Sequence, residues 1–321
     1  MSQVILFNRK KEKGKNSIEE VFSSLKSYLC VEKIYEMPKK GTSILSNLRF
    51  AYRKKGYVNH ISGDVHYIAL ATGKRTVLTI HDIESTLKDG NLATKLIKKL
   101  IWFWIPCLIV KKITVISEFT KKQLIKLVPF SRHKIVVIHN PYNELIEFKA
   151  KGFDKEKPVI LHVGTKTNKN LFRVIKSLEG IPCKLLIIGR LSVDLLRELQ
   201  AHNIEYESSF DVSFDEIVEA YKKCDIVSFP SIYEGFGMPI LEAHKAGRVV
   251  ITSNVCSMPE IAGDAACYVN PFDIESIRAG FLKIIQDDIY RDELVAKGFQ
   301  NLERFSPQQI SKRYNDLYKQ L

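Results

Sequence analysis

No run of apolar residues in this 321-residue chain is long enough to cross a bilayer. The longest, Ile101 to Val110, is about half of the ~20 residues a membrane span requires. Met1 to Phe7 leads straight into a strand-like run, with no basic start and no small-residue cleavage site, so no secretory signal is expected. Cysteine is sparse: Cys30, Cys107, Cys183, Cys224, Cys256 and Cys267 form no close pair with metal-ligand spacing. Most sit in apolar runs, so free buried thiols of a reducing compartment are expected, not disulfides or zinc. There is no Asp-x-Asp motif, and no cluster of His, Cys and acidic residues offers a metal cage. Neither a metal nor a cofactor is therefore expected. Internal repeats and low-complexity tracts are also absent.

Negative charge is scarce in one half only. Residues 1–150 carry 27 Lys and Arg against 12 Asp and Glu, a net +15, whereas residues 151–321 carry 22 against 24, a net −2. Such asymmetry suits a first half that meets an anionic membrane surface or a phosphate-bearing acceptor; a solvated basic face is the plainer alternative. The basic residues are not interleaved with a recognisable RNA or DNA module, so no nucleic-acid partner is expected. Lys98-Lys99 and Lys111-Lys112 flank Trp102 and Trp104, a pattern open to two readings: an interfacial segment or a buried core helix. The expected location is cytoplasmic, with a peripheral position on the inner face of a membrane as the extension of that reading.

What is present is an alternation of short β-branched runs with helical patterns. Val4 to Phe7, Val65 to Ile68, Thr76 to Ile80, Ile113 to Ile116 and Ile135 to Ile138 read as strands. They are nearly continuous in apolar residues, as parallel strands covered on both faces are. Ser17 to Leu29 is amphipathic, with Ser17 and Glu20 at capping-box spacing. A turn-rich joint follows at 139–158, around His139-Asn140-Pro141. The alternation then restarts, with strands at 159–164, 185–189, 225–229 and 249–252 and helices at 171–178, 217–223 and 239–245. Two β/α series imply an α/β protein of two doubly wound, Rossmann-like domains facing a cleft, at about 1–145 and 146–306.

The most informative stretch runs from Phe229-Pro230-Ser231 through Glu234-Gly235-Phe236-Gly237 to Pro239 and Glu242. A strand ends, a glycine loop follows, and Pro239 suits the first turn of a helix. The carboxyl end of a strand meets a helix N-terminus here, where open α/β sheets bind ligands and where a phosphate is favoured. Glycines permit close backbone approach, and two carboxylates can accept hydrogen bonds from hydroxyls on either side of a phosphate. A nucleotide sugar has that form. A strand, turn and helix with incidental acids remains open on these residues alone.

The spacing Glu234 to Glu242 resembles the glutamate–seven residues–glutamate signature of family-four (glycogen-synthase-like, group 1) retaining GT-B glycosyltransferases. The likeness continues through Ser253-Asn254, Met258-Pro259-Glu260, Gly263-Asp264-Ala265-Ala266 and Asn270-Pro271-Phe272-Asp273. It covers residues 158–275 strongly and 60–145 more loosely. The resemblance implies transfer of a hexose from a nucleotide-diphosphate sugar to a glycan or lipid-linked acceptor, with retention and without a metal. It implies that Glu234 meets the donor sugar, Glu242 the ribose, and the backbone of Gly235, Phe236 and Gly237 the sugar and phosphates. Lys169, following Gly164-Thr165-Lys166, resembles the lysine that neutralises the leaving diphosphate. Thr165 departs from the arginine many members have there, and Lys166 and Arg190 are the candidates for a second cation. In the first half, Thr79-Ile80-His81-Asp82 resembles the family's His-Asp pair, with His81 toward donor sugar or acceptor and Asp82 on the acceptor side. Ser62-Gly63-Asp64 is similar to a family turn. Ser117-Glu118-Phe119-Thr120 is similar to the family's helix-opening segment, and Ser117 at the same time reads as an N-cap. The common Gly-Gly acceptor loop is replaced by Lys13-Gly14-Lys15, which makes Lys15 an acceptor-side candidate. The last helix, 307–321, is implied to rejoin the first domain. A GT-B epimerase, an inactive nucleotide-sugar-binding protein and a nucleic-acid-binding protein are the competing readings.

Overall fold

The computed structural model of the protein describes residues 4–10, 21–22, 24–39, 43–83 and 91–321. Lys15 and the Ser17–Glu20 capping box lie outside them.

Strands β1 (Val4–Asn8), β2 (Lys33–Glu36), β3 (Val58–Ser62), β4 (Thr76–Ile80), β5 (Lys112–Val115) and β6 (Ile135–Val137) form one sheet. Its order is β2-β1-β3-β4-β5-β6, and every pairing is parallel. A second sheet contains β7 (Val159–Val163), β8 (Lys184–Ile188), β9 (Glu205–Ser209), β10 (Ile226–Phe229), β11 (Val249–Ser253) and β12 (Cys267–Val269), in the order β12-β11-β10-β7-β8-β9. It too is parallel throughout. Parallel strands joined by helical crossovers are covered on both faces; accordingly β3, β4 and β11 are buried along their whole length. The fold is two Rossmann-like α/β sheets.

Val65–Ile68 is not a strand. His66–Ile68 forms a 3-10 turn that runs into the helix Ala69–Thr72, and the strand lies earlier, at Val58–Ser62. The apolar run is buried because Val65, Tyr67 and Ile68 pack into the core of the first unit, not because it is extended. The edge strands β2 and β9 carry exposed charged residues, which removes the apolar signal by which the inner strands are recognised.

The chain divides into two compact units: residues up to Pro141 together with Ser306–Leu321, and Tyr142–Phe305. In the first, the C-terminal helix Pro307–Lys319 places Ile310, Tyr314, Leu317 and Tyr318 against Val4, Leu6, Phe22, Val58 and Val77. A fully buried aliphatic side chain in such a layer contributes about 1.5–3 kcal/mol. In the second, the strands follow 3-2-1-4-5-6 in their own chain order, and the order reverses between β7 and β10. The carboxyl ends of those two strands form the topological switch point, the place where open α/β sheets take ligands.

Candidate active site

At the switch point of the second unit, β10 ends at the buried Phe229, and the loop Pro230–Gly237 leads to the helix Met238–Ala246. Pro239 sits in that helix's first turn, where its missing N–H costs nothing. No side chain caps the helix at Gly237. An uncapped first turn and the positive end of the helix dipole favour an anion.

Opposite this loop, β7 turns at Gly164, whose φ of +97° is left-handed. A Cβ there would stand 3.0 Å from Lys169 Cγ, so glycine lets the lysine stem lie against the backbone. Lys169 Nζ reaches Glu234 Oε1 at 2.8 Å, with the side chains only 21% and 16% exposed. The ammonium also lies 4.8 Å from the centre of the Phe229 ring. Asn168 Nδ2 donates to Glu234 Oε1 and to the Tyr233 carbonyl, each at 3.1 Å. A cation, a carboxylate and an amide thus converge on one loop.

The loop is fixed from behind. Asn170, buried and left-handed, donates to the carbonyls of Pro230 at 2.9 Å and Pro271 at 2.7 Å, joining the ends of three strand connections. The buried Ser257 Oγ lies 2.9 Å from the Glu234 carbonyl and 2.7 Å from that of Phe236. Ser253 Oγ donates to the Ser231 carbonyl at 2.6 Å. Beneath Lys169, His162 on β7 has its pKa pulled down to about 3 by burial and, next, by the lysine's charge. It is a neutral imidazole whose Nδ1 meets Ser228 Oγ at 3.3 Å. Its Nε2 and the nearby loop's Ser231 Oγ have no partner among the described protein atoms.

Glu242, in the helix, accepts from the phenol of Tyr221 at 2.6 Å. Tyr221 is fully buried, and burial, followed by the Glu242 charge, raises its pKa well above the ordinary value, so it stays a donor. Thr165 donates to the Arg190 carbonyl at 2.7 Å. The Arg190 guanidinium itself is exposed, 4.7 Å from the Phe210 ring centre and 3.6 Å from Asp211, and Lys166 is exposed. Neither is paired with Glu234 in this arrangement. Gly235 and Phe236 lie in the loop, with Phe236 buried edge-on to Phe305.

The first unit holds the remaining candidates. His81, just past β4, is buried, and its Nε2 lies 3.3 Å from Ser62 Oγ. Burial lowers its pKa to about 3, against a smaller opposing effect of Asp64, so it is neutral. Arg9 bridges to Asp64 at 3.2 Å and packs over Gly63. Asp82 follows, half-buried. Ser117 caps the helix Glu118–Leu127, accepting from the Thr120 N–H at 3.0 Å. The sequence pattern alone assigns no role to Tyr221, Asn168, Asn170 or Ser257. A tyrosine on the apolar face of a helix reads as core, and isolated Asn and Ser in loops carry no spacing signal.

Among the described residues, no group of three His, Cys, Asp or Glu side chains could hold a metal ion. No helix of theirs is long and apolar enough to cross a membrane.

The family model for Glycosyl transferases group 1 matches residues 143–301. That for Glycosyltransferase Family 4 matches residues 57–144. The chain is 42% identical over 93 residues to the O-antigen chain mannosyltransferase B of Escherichia coli, covering 29% of this chain and 24% of that protein. It is 26% identical over 223 residues to the O-antigen chain mannosyltransferase RfbU of Salmonella typhimurium, covering 66% and 62%. The match thus spans less than two thirds of either relative's length. Anabaena HepE, solved in complex with UDP and glucose, superposes with a TM-score of 0.80 at 13% identity, covering 99% of this chain and 100% of that one. With adjoining family models over residues 57–301 and the GT-B architecture shared with that structure, the chain belongs to the group 1 glycosyl transferases.

Proposed function

We propose that the protein is a retaining, metal-independent glycosyltransferase that moves a hexose from a nucleotide-diphosphate sugar onto a glycan or lipid-linked acceptor at the cytoplasmic face of a membrane. The observation that carries this reading is the Lys169–Glu234 pair, 2.8 Å apart, beside an uncapped helix at a topological switch point. An ammonium and a helix N-terminus stabilise the charge that develops on the diphosphate as the glycosidic bond breaks. Glu234 accepts hydrogen bonds from sugar hydroxyls, and Glu242, steadied by Tyr221, accepts from the ribose. The acceptor oxygen bonds to the anomeric carbon on the face the diphosphate leaves, and its proton passes to the departing phosphate. Retention follows from that geometry. His81 is assigned to the reacting sugar or acceptor by the family resemblance. The names of the matched mannosyltransferases make mannose the first donor sugar to test, and the HepE complex supports a nucleotide-linked donor.

The test is a thermal-shift screen of nucleotide diphosphates and their sugars, followed by transfer assays in excess EDTA. A ligand at 100 times its Kd stabilises by about 2.7 kcal/mol. Glu234→Ala and Glu242→Ala should fold and lose about 1.5–3 kcal/mol of donor or transition-state binding each. No shift with any donor, unchanged kcat/KM in both variants, or activity that vanishes in EDTA and returns with magnesium would each overturn part of the reading.

A further inference from the structure

Three abutting helical segments, Leu92–Lys98, a π segment Lys99–Trp104 and Ile105–Ile109, run along the first unit. Their inner side is well used. Phe103 and Cys107 are buried in the core, Trp102 packs on it, and the Trp102 indole donates to the Asp64 carbonyl at 2.9 Å. The outer side is also apolar. Leu92, Leu96, Leu100, Trp104 and Leu108 recur every four residues and are all exposed, Leu92 by 86% and Leu96 by 65%, with Ile97 beside them.

That spacing would not ordinarily stay on one face. Four residues overshoot an α-helical turn of 3.6, so such a stripe walks round the rod. In a π segment, whose i→i+5 bonds widen the turn, four residues fall short. The π segment at 99–104 turns the stripe part of the way back, so Leu100, Trp104 and Leu108 drift less from the line of Leu92 and Leu96 than they would on a continuous α-helix. Contiguous exposed apolar surface of this kind marks an interaction site.

The charge around it names the occupant. From Asn91 to Ser117 there are five lysines, at 95, 98, 99, 111 and 112, and no acidic residue. A second copy seated on the stripe by two-fold symmetry would bring these lysines against each other. A bilayer with anionic headgroups takes both features at once: leucines and an indole enter the acyl boundary, while lysines reach the phosphates. We propose that the outer face of residues 92–109 docks the protein on an anionic lipid surface, lying in the interface. This rests on the membrane-facing acceptor suggested above and specifies the side chains that carry it.

The test is co-sedimentation of the full chain with vesicles of phosphatidylcholine alone, and of phosphatidylcholine and phosphatidylglycerol in equal parts, at low and high salt. The protein should pellet with the mixed vesicles at low salt and be released at high salt. The triple variant Leu92→Ser, Leu96→Ser, Leu100→Ser should bind at least tenfold more weakly. It should keep the wild-type thermal shift with a nucleotide sugar, so failure here is distinguishable from failure of the transferase reading. Brominated lipid should quench Trp104, and the quenching should vanish in Trp104→Phe. Equal pelleting of the triple variant, equal pelleting with pure phosphatidylcholine, or quenching that persists in Trp104→Phe would overturn the assignment. So would a wild-type dimer that becomes monomeric in the triple variant without vesicle binding, since the stripe would then be a self-association surface.

Discussion

At the scale of single residues, the candidate site is a set of carboxylates whose positions are set by neighbours. Glu234 has Lys169 and Asn168 on one oxygen; Glu242 has Tyr221. The two arrangements predict different kinetic signatures. A group that meets the reacting sugar affects the transition state, whereas a group that meets the ribose binds ground and transition states alike. Tyr221→Phe removes one hydrogen bond to a charged acceptor, worth about 1.5–3 kcal/mol, and leaves the packed ring in place. The expected outcome is a donor KM raised about tenfold or more with kcat little changed. Steady-state kinetics with varied donor measures it, and a fall in kcat at unchanged KM would contradict the ribose assignment of Glu242. Lys169 carries a different kind of constraint, since a Cβ at Gly164 would crowd its stem.

At the scale of elements, how much could be read depended on what a strand buries. The β10 strand, the helix at 238–246 and β11 were legible because the strands are apolar and the helix is bounded by Pro239 and Gly247. The β3 strand was not, because Asn59, His60 and Ser62 interrupt its apolar pattern, yet all three are buried. The side chains of His60 and Ser62 meet partners that no local pattern reveals. His60 Nδ1 meets Tyr318 OH at 2.6 Å, and its Nε2 meets Thr79 Oγ1 at 2.6 Å. Likewise, the loop glutamate stood out by its spacing to Glu242, while the amide and hydroxyls that hold its loop come from distant segments. The Tyr318–His60 contact ties the C-terminal helix to the middle of the first sheet, across 258 residues of sequence. Tyr318→Phe leaves a buried imidazole nitrogen without its partner, which costs about 1–3 kcal/mol. Urea unfolding should show a lower midpoint with an unchanged m-value. A midpoint equal to wild type would mean that the contact adds nothing to the docking of this helix.

At the scale of the whole molecule, buried histidines make stability depend on pH in a defined window. His60 and His81 in the first unit and His162 in the second have pKa values pulled down from 6.5 to about 3, and His244 to about 4, in each case chiefly by burial. In the folded protein all four are neutral at pH 5.5, whereas in the unfolded chain they are mostly protonated. The unfolded state therefore binds more protons, and stability rises with pH across this interval. The contribution is fully present above about 6.5 and is lost as pH falls toward the folded values. Between pH 7.5 and 5.5 each histidine should cost about 1.4 kcal/mol, from the linkage of a group whose unfolded pKa is near 6.5. Exposed acids such as Glu207 and Asp288, held below the usual carboxylate range by hydrogen bonds from Lys184 and Lys155, act in a lower window. Their contributions persist until pH falls through the ordinary carboxylate range. The fall between pH 7.5 and 5.5 is thus a histidine signal. It should appear in the denaturation of both units, as a reduced urea midpoint at pH 5.5. In the folded protein, NMR signals of these four imidazoles should stay at their neutral positions down to about pH 5. Imidazole signals that titrate near 6.5 in the native state, together with a midpoint flat across the interval, would show that these rings are solvated and that burial does not hold them neutral.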